Sequence, residues 1–297
     1  MPEVLRVLKV KTNNKKLQME LHVINTGNLK LDGGAMFGVV PKVMWQKQYP
    51  ADENNLCNWS MRCLLAVEGN RKILIDCGIG DKQNEKFFSN MHLNGDDNLY
   101  SSLEKAGFTA DDITDVVLTH LHFDHCGGAV KYNDDKTALI PAFKNATYWV
   151  GKEHWELANK PNAREKASFL KENFVPLYEA GKINFITESS TLFPGFHVKI
   201  FNGHTAGQII PHIEYKGKTV VYMADLMPAA VHIPLPYVIS YDTQPLVSLA
   251  EKESFLNEAL ENDYILFFEH DIFNECCNLQ QTEKGIRPKE FFELKSV

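Results

Sequence analysis

The segment THLHFDHCGG places four potential metal ligands within six residues. The apolar run at 113–119 predicts a buried β-strand that ends where the histidines begin. Side chains alternate with a period of two in an extended chain, so His120 and His122 can point in the same direction. A tight turn can then bring Asp124 and His125 to a second nearby point. Imidazole and carboxylate groups suit Zn(II), Mn(II), Fe(II) or Co(II), so the segment predicts a metal site at a strand end.

Three later ionisable residues also follow predicted strands. His204 follows the strand predicted at 196–201, Asp225 follows TVVYM, and His270 follows YILFF and a glutamate. Ligands of α/β proteins gather where strands end and loops begin. We therefore expect these three residues to supplement the first segment, whose four groups are too few for two metals.

Composition narrows the classes of partner. The chain has 297 residues, of which 44% are hydrophobic, and a formal net charge of -7. Such a chain can bury a large core but has no overall basic field, so we expect neither a nucleic acid nor an anionic membrane as a partner. No apolar run approaches the roughly 18 residues of a membrane-spanning helix.

The N-terminus and the cysteines bear on location. The N-terminal sequence MPEVLRVLKVKTNNKK has charges among its apolar residues, so we do not expect a signal peptide. The six cysteines form no CxxC pair and are too sparse for a disulfide scaffold. Reduced thiols in the cytoplasm are the simplest interpretation.

The hydrophobic pattern alternates between strands and helices and contains no linker, which favours one α/β domain of mixed sheets over residues 1–297. The segment at 30–50, KLDGGAMFGVVPKVMWQKQYP, has no clean period and predicts an irregular loop with exposed apolar side chains. Such a loop either packs on the body or lines a pocket. The predicted elements are strands at 19–25, 61–67, 72–76, 113–119, 182–187, 196–201, 219–223 and 264–268, and helices at 99–106, 152–159, 164–173 and 246–261.

Five motifs in order resemble those of the metallo-β-lactamase superfamily. They are Asp76 in LIDCGIG, the HxHxDH run, His204 in GHTAGQ, Asp225 in MADL and His270 in FFEHD. The resemblance implies a four-layer αββα sandwich of two mixed sheets, with the active site at one edge between the sheets. It also implies two divalent metal ions, most often zinc, with manganese, iron or cobalt as alternatives.

The resemblance also assigns roles to residues. It implies that His120, His122 and His204 hold one metal, that Asp124, His125 and His270 hold the other, and that Asp225 bridges both. Asp76 would hydrogen-bond a ligand histidine or the first loop and fix its orientation. Asp124 and Asp225 would be the catalytic carboxylates, with Asp124 relaying a proton to the leaving group.

Two features favour one branch of the superfamily. A bridging aspartate at Asp225 is typical of lactonases, glyoxalase II, tRNA 3′-processing enzymes and phosphotriesterases, and His122 argues against the flavodiiron pattern. The segment LDGGAMFGVVPKVMW is similar to that of N-acyl-homoserine lactone lactonases and methyl parathion hydrolase. It would form an apolar rim near the metals. Expected substrate contacts are Met36, Phe37, Trp45, His232 and Tyr237.

One position departs from the pattern. The homoserine lactonases have a tyrosine three residues after the bridging aspartate, where it donates to the substrate carbonyl. Here that position is Pro228. The departure leaves open which residue, if any, takes the part of that tyrosine.

The expected function is dinuclear metal-dependent hydrolysis, in which a bridging hydroxide attacks an ester or lactone carbonyl. An N-acyl-homoserine lactone is the first choice, so the expected partner is a small molecule with an apolar portion. A phosphotriester, a thioester as in glyoxalase II, and a non-catalytic metal-binding sensor are alternatives. Only Arg287, Lys289 and Lys295 could supply the basic residues that glyoxalase II uses for glutathione. A homodimer stays open, because the apolar segment at 30–50 could be buried in a subunit contact.

Overall fold

The structure is a computed structural model that describes residues 19–297. The N-terminal sequence MPEVLRVLKVKTNNKK, and the expectation that it is not a signal peptide, fall outside these residues. In chain order the strands are β1 (Glu20–Asp32), β2 (Leu56–Glu68), β3 (Arg71–Ile75), β4 (Asp115–Val117), β5 (Val130–Tyr132), β6 (Leu139–Pro141), β7 (Thr147–Gly151), β8 (Ile183–Ile186), β9 (Ser190–Phe193), β10 (Phe196–Phe201), β11 (Gln208–Tyr215), β12 (Lys218–Tyr222), β13 (Ile265–Phe267), β14 (Cys276–Thr282) and β15 (Gly285–Phe292).

Eight α-helices connect or cover these strands in the described part of the chain. They are α1 (Gly33–Phe37), α2 (Lys42–Trp45), α3 (Glu85–Met91), α4 (Leu99–Lys105), α5 (Phe123–Cys126), α6 (Lys152–Asn159), α7 (Val175–Glu179) and α8 (Pro245–Glu261). None of the helices between residues 19 and 297 is long and apolar enough to cross a bilayer.

The strands form two large mixed sheets. The first has the order β1-β2-β3-β4-β7-β8, and its last four strands run parallel. The second has the order β15-β14-β13-β12-β11-β10-β9, with β12 and β13 parallel and the other pairs antiparallel. Strands β5 and β6 form a separate antiparallel pair.

Side-chain alternation on the first sheet creates two cores. Along β2, Leu64 and Ala66 pack into the core shared with the second sheet and α8, whereas Cys63 and Leu65 pack against residues of α4, α6 and α7 on the opposite face. On the far side of the second sheet, Phe255 of α8 closes the shared core. The layers are therefore helix, sheet, sheet, helix, which confirms the predicted αββα sandwich.

The helix predicted at 164–173 is wrong. Residues 163–168 form turns, and only Lys171–Asn173 make a short 3₁₀ helix. The Asn162 side chain accepts the backbone N–H groups of Arg164 and Glu165, at 2.9 and 3.0 Å. Side-chain acceptors of this kind favour turns over continued helix.

The prediction of an irregular loop at 30–50 is also wrong. Strand β1 extends to Asp32, whose carboxylate accepts from Ala35 N–H at 2.9 Å and starts α1, and α2 follows. The ring of Phe37 stacks on Trp45 at a centroid distance of 4.6 Å, and both side chains are buried. The segment is therefore held by an aromatic cluster, although Val39 and Val43 remain exposed.

Candidate metal centre

The HxHxDH run lies at the end of β4 in the first sheet. His120 and His122 stand in the loop that follows the strand, and α5 carries Asp124 and His125. Gly127 packs directly behind this turn, since a Cβ there would lie 2.0 Å from the carbonyl oxygen of Ile79. Only a glycine allows that approach of the two backbones.

The second sheet supplies the other three groups at its facing edge. His204 follows β10, Asp225 lies in a 3₁₀ turn after β12, and His270 follows β13. All seven predicted ligands are therefore brought together from loops of both sheets. The centre lies at the edge where the two sheets meet.

The seven side chains form two groups. In the first, ligand-capable atoms of His120, His122, His204 and Asp225 all lie within 4.8 Å of one another; in the second, those of Asp124, His125 and His270 do so.

Asp225 faces both groups. Its Oδ2 lies 3.2 Å from His204 Nε2, and its Oδ1 lies 3.2 Å from His270 Nε2. Asp124 Oδ2 lies 3.8 Å from His125 Nε2. Asp225 therefore lies between the two groups.

The donor set fits divalent metal ions. His120 is fully buried, yet its Nε2 has no hydrogen-bond partner among residues 19–297. Nitrogen atoms of neighbouring imidazoles also face each other, at 3.2 Å for His204 Nε2 and His122 Nδ1. Buried polar atoms normally have partners, so convergent lone pairs without them indicate a cation site.

Three of the imidazoles are held in place through the nitrogen that points away from the ligand groups. His120 Nδ1 lies 3.0 Å from Thr119 Oγ1, His204 Nδ1 lies 2.9 Å from Asp242 Oδ1, and His270 Nδ1 lies 2.7 Å from the Ser60 carbonyl. Such contacts fix the tautomer and ring orientation of metal-binding histidines.

His122 is turned the other way and directs Nδ1 inward. Its Nε2 lies 3.9 Å from Glu165 Oε1, and that carboxylate also accepts from the Thr205 hydroxyl at 2.5 Å. Burial opposes ionisation of Glu165, but its contacts with His122, Thr205 and Asn162 lower the pKa of the carboxyl to about 2. Glu165 is therefore an anion at the back of His122 at neutral pH.

Asp76 occupies the supporting position expected of it. Its carboxylate accepts from the backbone N–H and hydroxyl of Thr119, at 2.8 and 2.7 Å, and lies 3.1 Å from His125 Nδ1. Glu269, which the sequence interpretation left without a role, lies 3.0 Å from the same nitrogen. Burial and the Glu269 carboxylate raise the pKa of Asp76 to about 7.

Opposite charges dominate the centre. Burial alone would lower the pKa of His204 and of His270, but neighbouring carboxylates together outweigh it. Asp225 and Asp242 raise the pKa of His204, and Asp225 and Glu269 raise the pKa of His270 to about 9. Burial would raise the pKa of Asp225, yet His204 and His125 lower it well below its ordinary value. The site therefore favours the anionic form of the shared carboxylate.

His154 connects the two loops that carry ligands. The backbone N–H of Leu121 donates to His154 Nε2 at 2.7 Å, and His154 Nδ1 donates to the Ala206 carbonyl at 2.9 Å. Burial lowers the pKa of His154 to about 3, so the ring stays neutral.

A cavity of about 210 Å³ opens beside the ligands. Its apolar wall contains Leu31, Met36, Phe123 and Ile239, and its polar wall contains Arg164, Glu165, Ser168, Ser240 and Tyr241. The mixed lining suits a small molecule with an apolar portion and a polar reacting group.

Of the five expected substrate contacts, only Met36 lines this cavity. Phe37, Trp45 and His232 are buried, because the rings of Phe37 and His232 stack at 5.2 Å beneath the wall. Tyr237 lies edge-on to Phe37, at 6.4 Å, and is not part of the lining. These four expectations are corrected: the residues support the wall and do not form it.

The sequence interpretation missed the second layer of the site. Asp242, Glu165, Arg164 and Tyr241 belong to no motif, and they reach the centre only through folding. Glu269 alone had a signal, since it follows the buried strand β13 and precedes His270.

Comparisons with known proteins agree with this geometry. The family model of the Metallo-beta-lactamase superfamily matches residues 62–270. A curated N-acyl homoserine lactonase from Bacillus cereus is 23% identical over 236 residues, which cover 74% of this chain and 85% of the relative. This match confirms the resemblance to the lactonase branch.

Solved structures share the fold. A probable metal-dependent hydrolase from Staphylococcus aureus has a TM-score of 0.85 and 30% identity, covering 95% of this chain and 99% of that one. AidC, a dizinc quorum-quenching lactonase in complex with a product, has a TM-score of 0.75 and 22% identity, covering 94% and 97%. With a family match over most of its length and this fold, the chain belongs to the Metallo-beta-lactamase superfamily.

Proposed function

We propose that this metal-dependent hydrolase opens lactones that carry an apolar acyl chain, with an N-acyl-homoserine lactone as first choice, and that zinc is its metal. The observation that carries the proposal is the pair of ligand groups joined at Asp225, next to a cavity with an apolar wall. The curated relative from Bacillus cereus, itself an N-acyl homoserine lactonase, supports the choice of substrate.

The chain's residues divide the binding of two cations between them. His120, His122 and His204 would hold one, Asp124, His125 and His270 the other, and Asp225 would contact both. When bound, two such ions lower the pKa of a water molecule and polarise a carbonyl oxygen.

Asp124 is suited to move the proton. It lines the cavity with its side chain 14% exposed, whereas the histidine nitrogens beside it are buried. Its carboxylate can accept a proton from the attacking water and deliver it to the alcohol that leaves when the ring opens. Leu31 and Met36, on the apolar wall, would receive the acyl chain and exclude water.

The basic residues considered for glutathione binding lie elsewhere. Arg287 lines a separate cavity beside α8 and β15, and Lys295 lines another with His22 and Glu293. Within the described chain, none of Arg287, Lys289 and Lys295 lines the cavity at the metal centre. This arrangement supports a lactone over a glutathione thioester.

The test combines metal analysis with a substrate panel. Protein produced with zinc supplied should carry close to two zinc ions per chain. A pH-indicator assay would compare hexanoyl- and dodecanoyl-homoserine lactones, a phosphotriester and lactoylglutathione at equal concentration, and chelator-treated protein is the control. We expect the lactones to be hydrolysed fastest. Turnover of the phosphotriester or thioester alone would replace the proposed substrate, and a metal-loaded protein without any turnover would favour the sensor.

A further inference from the structure

We propose that Tyr241 is a catalytic residue whose phenolic hydroxyl donates a hydrogen bond to the substrate's carbonyl oxygen as that oxygen gains negative charge. The inference rests on the proposed hydrolase function and adds to it a donor outside the metal ligands. A preorganised donor aimed at a developing oxyanion lowers the barrier of acyl transfer.

The first argument is the chemistry of the cavity wall. The wall presents the carboxylates of Asp124, Asp225 and Glu165, and an ionised carboxylate accepts hydrogen bonds and cannot stabilise an oxyanion. The polar wall therefore has to supply any donor from the protein itself.

The second argument concerns the other donors of the wall. Arg164 donates through Nη2 to the backbone carbonyls of Ser240 and Asp242, which ties the guanidinium to the loop that carries Tyr241, and the hydroxyl of Ser240 donates to the Gly34 carbonyl at 3.4 Å. The hydroxyls of Tyr241 and Ser168 find no acceptor among residues 19–297, although both residues line the cavity.

The hydroxyls of two other tyrosines near the site already donate to backbone carbonyls. Tyr222 donates to the Arg62 carbonyl at 3.0 Å, and Tyr49 donates to the Asn58 carbonyl at 2.9 Å. The position three residues after Asp225 is the buried Pro228, whose carbonyl accepts from His270 N–H at 3.1 Å and whose side chain has no donor.

The third argument is that the backbone around Tyr241 is fixed. Ser240 N–H donates to the Ala35 carbonyl at 2.8 Å, and Thr243 N–H donates to the His204 carbonyl at 3.0 Å. The carboxylate of Asp242, the next residue, is bonded to His204 Nδ1. The backbone at Tyr241 is therefore fixed relative to the metal centre, which a preorganised donor requires.

The protonation state agrees with this role. Partial burial, followed by the charges of Asp124, Asp32 and Asp225, raises the pKa of Tyr241 to about 12. The phenol therefore keeps its proton at neutral pH. Tyr241 is 41% exposed and lines the cavity, so a ligand there can reach it.

The kinetic test uses three variants: Tyr241→Phe, Ser168→Ala, and Tyr237→Phe as the matched control outside the cavity. With zinc content unchanged, we expect Tyr241→Phe to lower kcat on the preferred lactone about 100-fold with KM within about threefold, in the range for loss of one oxyanion donor. The control should stay within twofold. Full kcat in Tyr241→Phe, or the loss appearing in Ser168→Ala instead, would overturn the proposal.

A binding test separates this proposal from the proposed function. Calorimetric titration of the zinc-loaded proteins with N-hexanoyl-homoserine, the ring-opened product, measures affinity without turnover. We expect about tenfold weaker binding by Tyr241→Phe and no change in Tyr237→Phe, because a hydrogen bond to a charged carboxylate is lost. If the wild type hydrolyses no lactone, the proposed function fails and this titration alone decides on Tyr241. Equal affinity of wild type and Tyr241→Phe, including no binding by either, would refute the role.

Discussion

The carboxylate of Asp242 lies 2.9 Å from Nδ1 of His204, and the chain beside it is bonded to the same histidine, since Thr243 N–H donates to the His204 carbonyl at 3.0 Å. The loop that carries Tyr241 and the ligand at the end of β10 therefore form one hydrogen-bonded unit. Its geometry couples the polar wall of the cavity to the metal centre.

Removing this carboxylate should weaken metal binding. In Asp242→Ala the imidazole of His204 loses both its orientation and a partner for Nδ1, and we expect a 10- to 100-fold loss of zinc affinity, as is usual when such a partner is lost. Asp242→Asn, which keeps a hydrogen-bond acceptor, should lie between this variant and wild type. Competition with a chromophoric chelator measures the affinity. Asp111→Ala, at an exposed aspartate bonded to Lys144, is the control and should bind zinc as wild type does.

His122→Ala should lose metal and hydrolysis together, because His122 Nδ1 lies among the atoms of the first ligand group. We expect zinc content to fall from about two to about one per chain or less, with hydrolysis reduced more than 100-fold. Mass spectrometric metal analysis and the lactone assay on one preparation give both values. His197→Ala on β10, whose imidazole pairs with Glu214, should change neither. Two zinc ions and normal turnover in His122→Ala would contradict the ligand assignment.

Lys252 should make stability depend on pH. Its ammonium, buried on α8, donates to the carbonyls of Pro234 and Tyr237 at 2.8 and 3.0 Å, and burial lowers its pKa from 10.5 to about 7. Between pH 7 and 10.5 the unfolded chain binds more protons at this site than the folded protein, so the free energy of unfolding rises with pH.

Lys252→Met removes this contribution. We expect the difference in unfolding free energy, wild type minus Lys252→Met, to increase by roughly 1 kcal/mol per pH unit from pH 7 to 9. Below pH 7 the lysine is charged in both states and the difference should level off. Urea titrations at pH 6, 7, 8 and 9 measure it. A constant difference over this range would show that the ammonium is not titrating in the folded protein.

Gly38 should resist substitution because of a close approach and not only because of its backbone angle. Its φ is +58°, and a Cβ there would lie 2.3 Å from the Val238 carbonyl oxygen, on the segment that leads to Ile239. Gly181 has φ +67° with nothing within 4 Å of a Cβ, so Gly181→Ala isolates the angle. We expect Gly181→Ala to cost about 1–2 kcal/mol and Gly38→Ala at least about 1 kcal/mol more.

Activity provides the second measurement for this pair. Only Gly38→Ala should raise KM, because Met36 and Ile239 line the cavity on the two sides of this contact. Urea unfolding and lactone kinetics measure both effects. Equal destabilisation in the two variants would show that the Val238 carbonyl can move away without cost.

The centre was predictable where its residues are close in sequence or follow an obvious strand. The HxHxDH run contains four potential metal ligands in one segment, and His204, Asp225 and His270 each follow an apolar run. Glu165 and Asp242 were not predictable, because they act on residues 40 and 38 positions away and neither belongs to a motif. Their contacts depend on how turns pack, which local propensity does not determine.

The same distinction applies to the fold. Period-two alternation predicted part of β2 correctly, because its alternate residues face two different cores. The helix predicted at 164–173 failed because the Asn162 side chain captured backbone N–H groups locally. The prediction of an irregular loop at 30–50 was wrong because the order of this segment comes from aromatic stacking with His232, nearly 200 residues further along the chain.

The two sheets contribute separate sides of the ion-binding cluster, with the HxHxDH groups from one and His204, Asp225 and His270 from the other. Sliding of one sheet over the other would thus change the separation of the two ligand groups. Side chains in the shared interior, such as Ile75 and Val198, then help to fix the distance between the two ligand groups, although neither lines the cavity. Replacing them with smaller side chains should weaken metal binding before it unfolds the protein. A search for variants with faster turnover or a wider substrate range could begin in that distant layer.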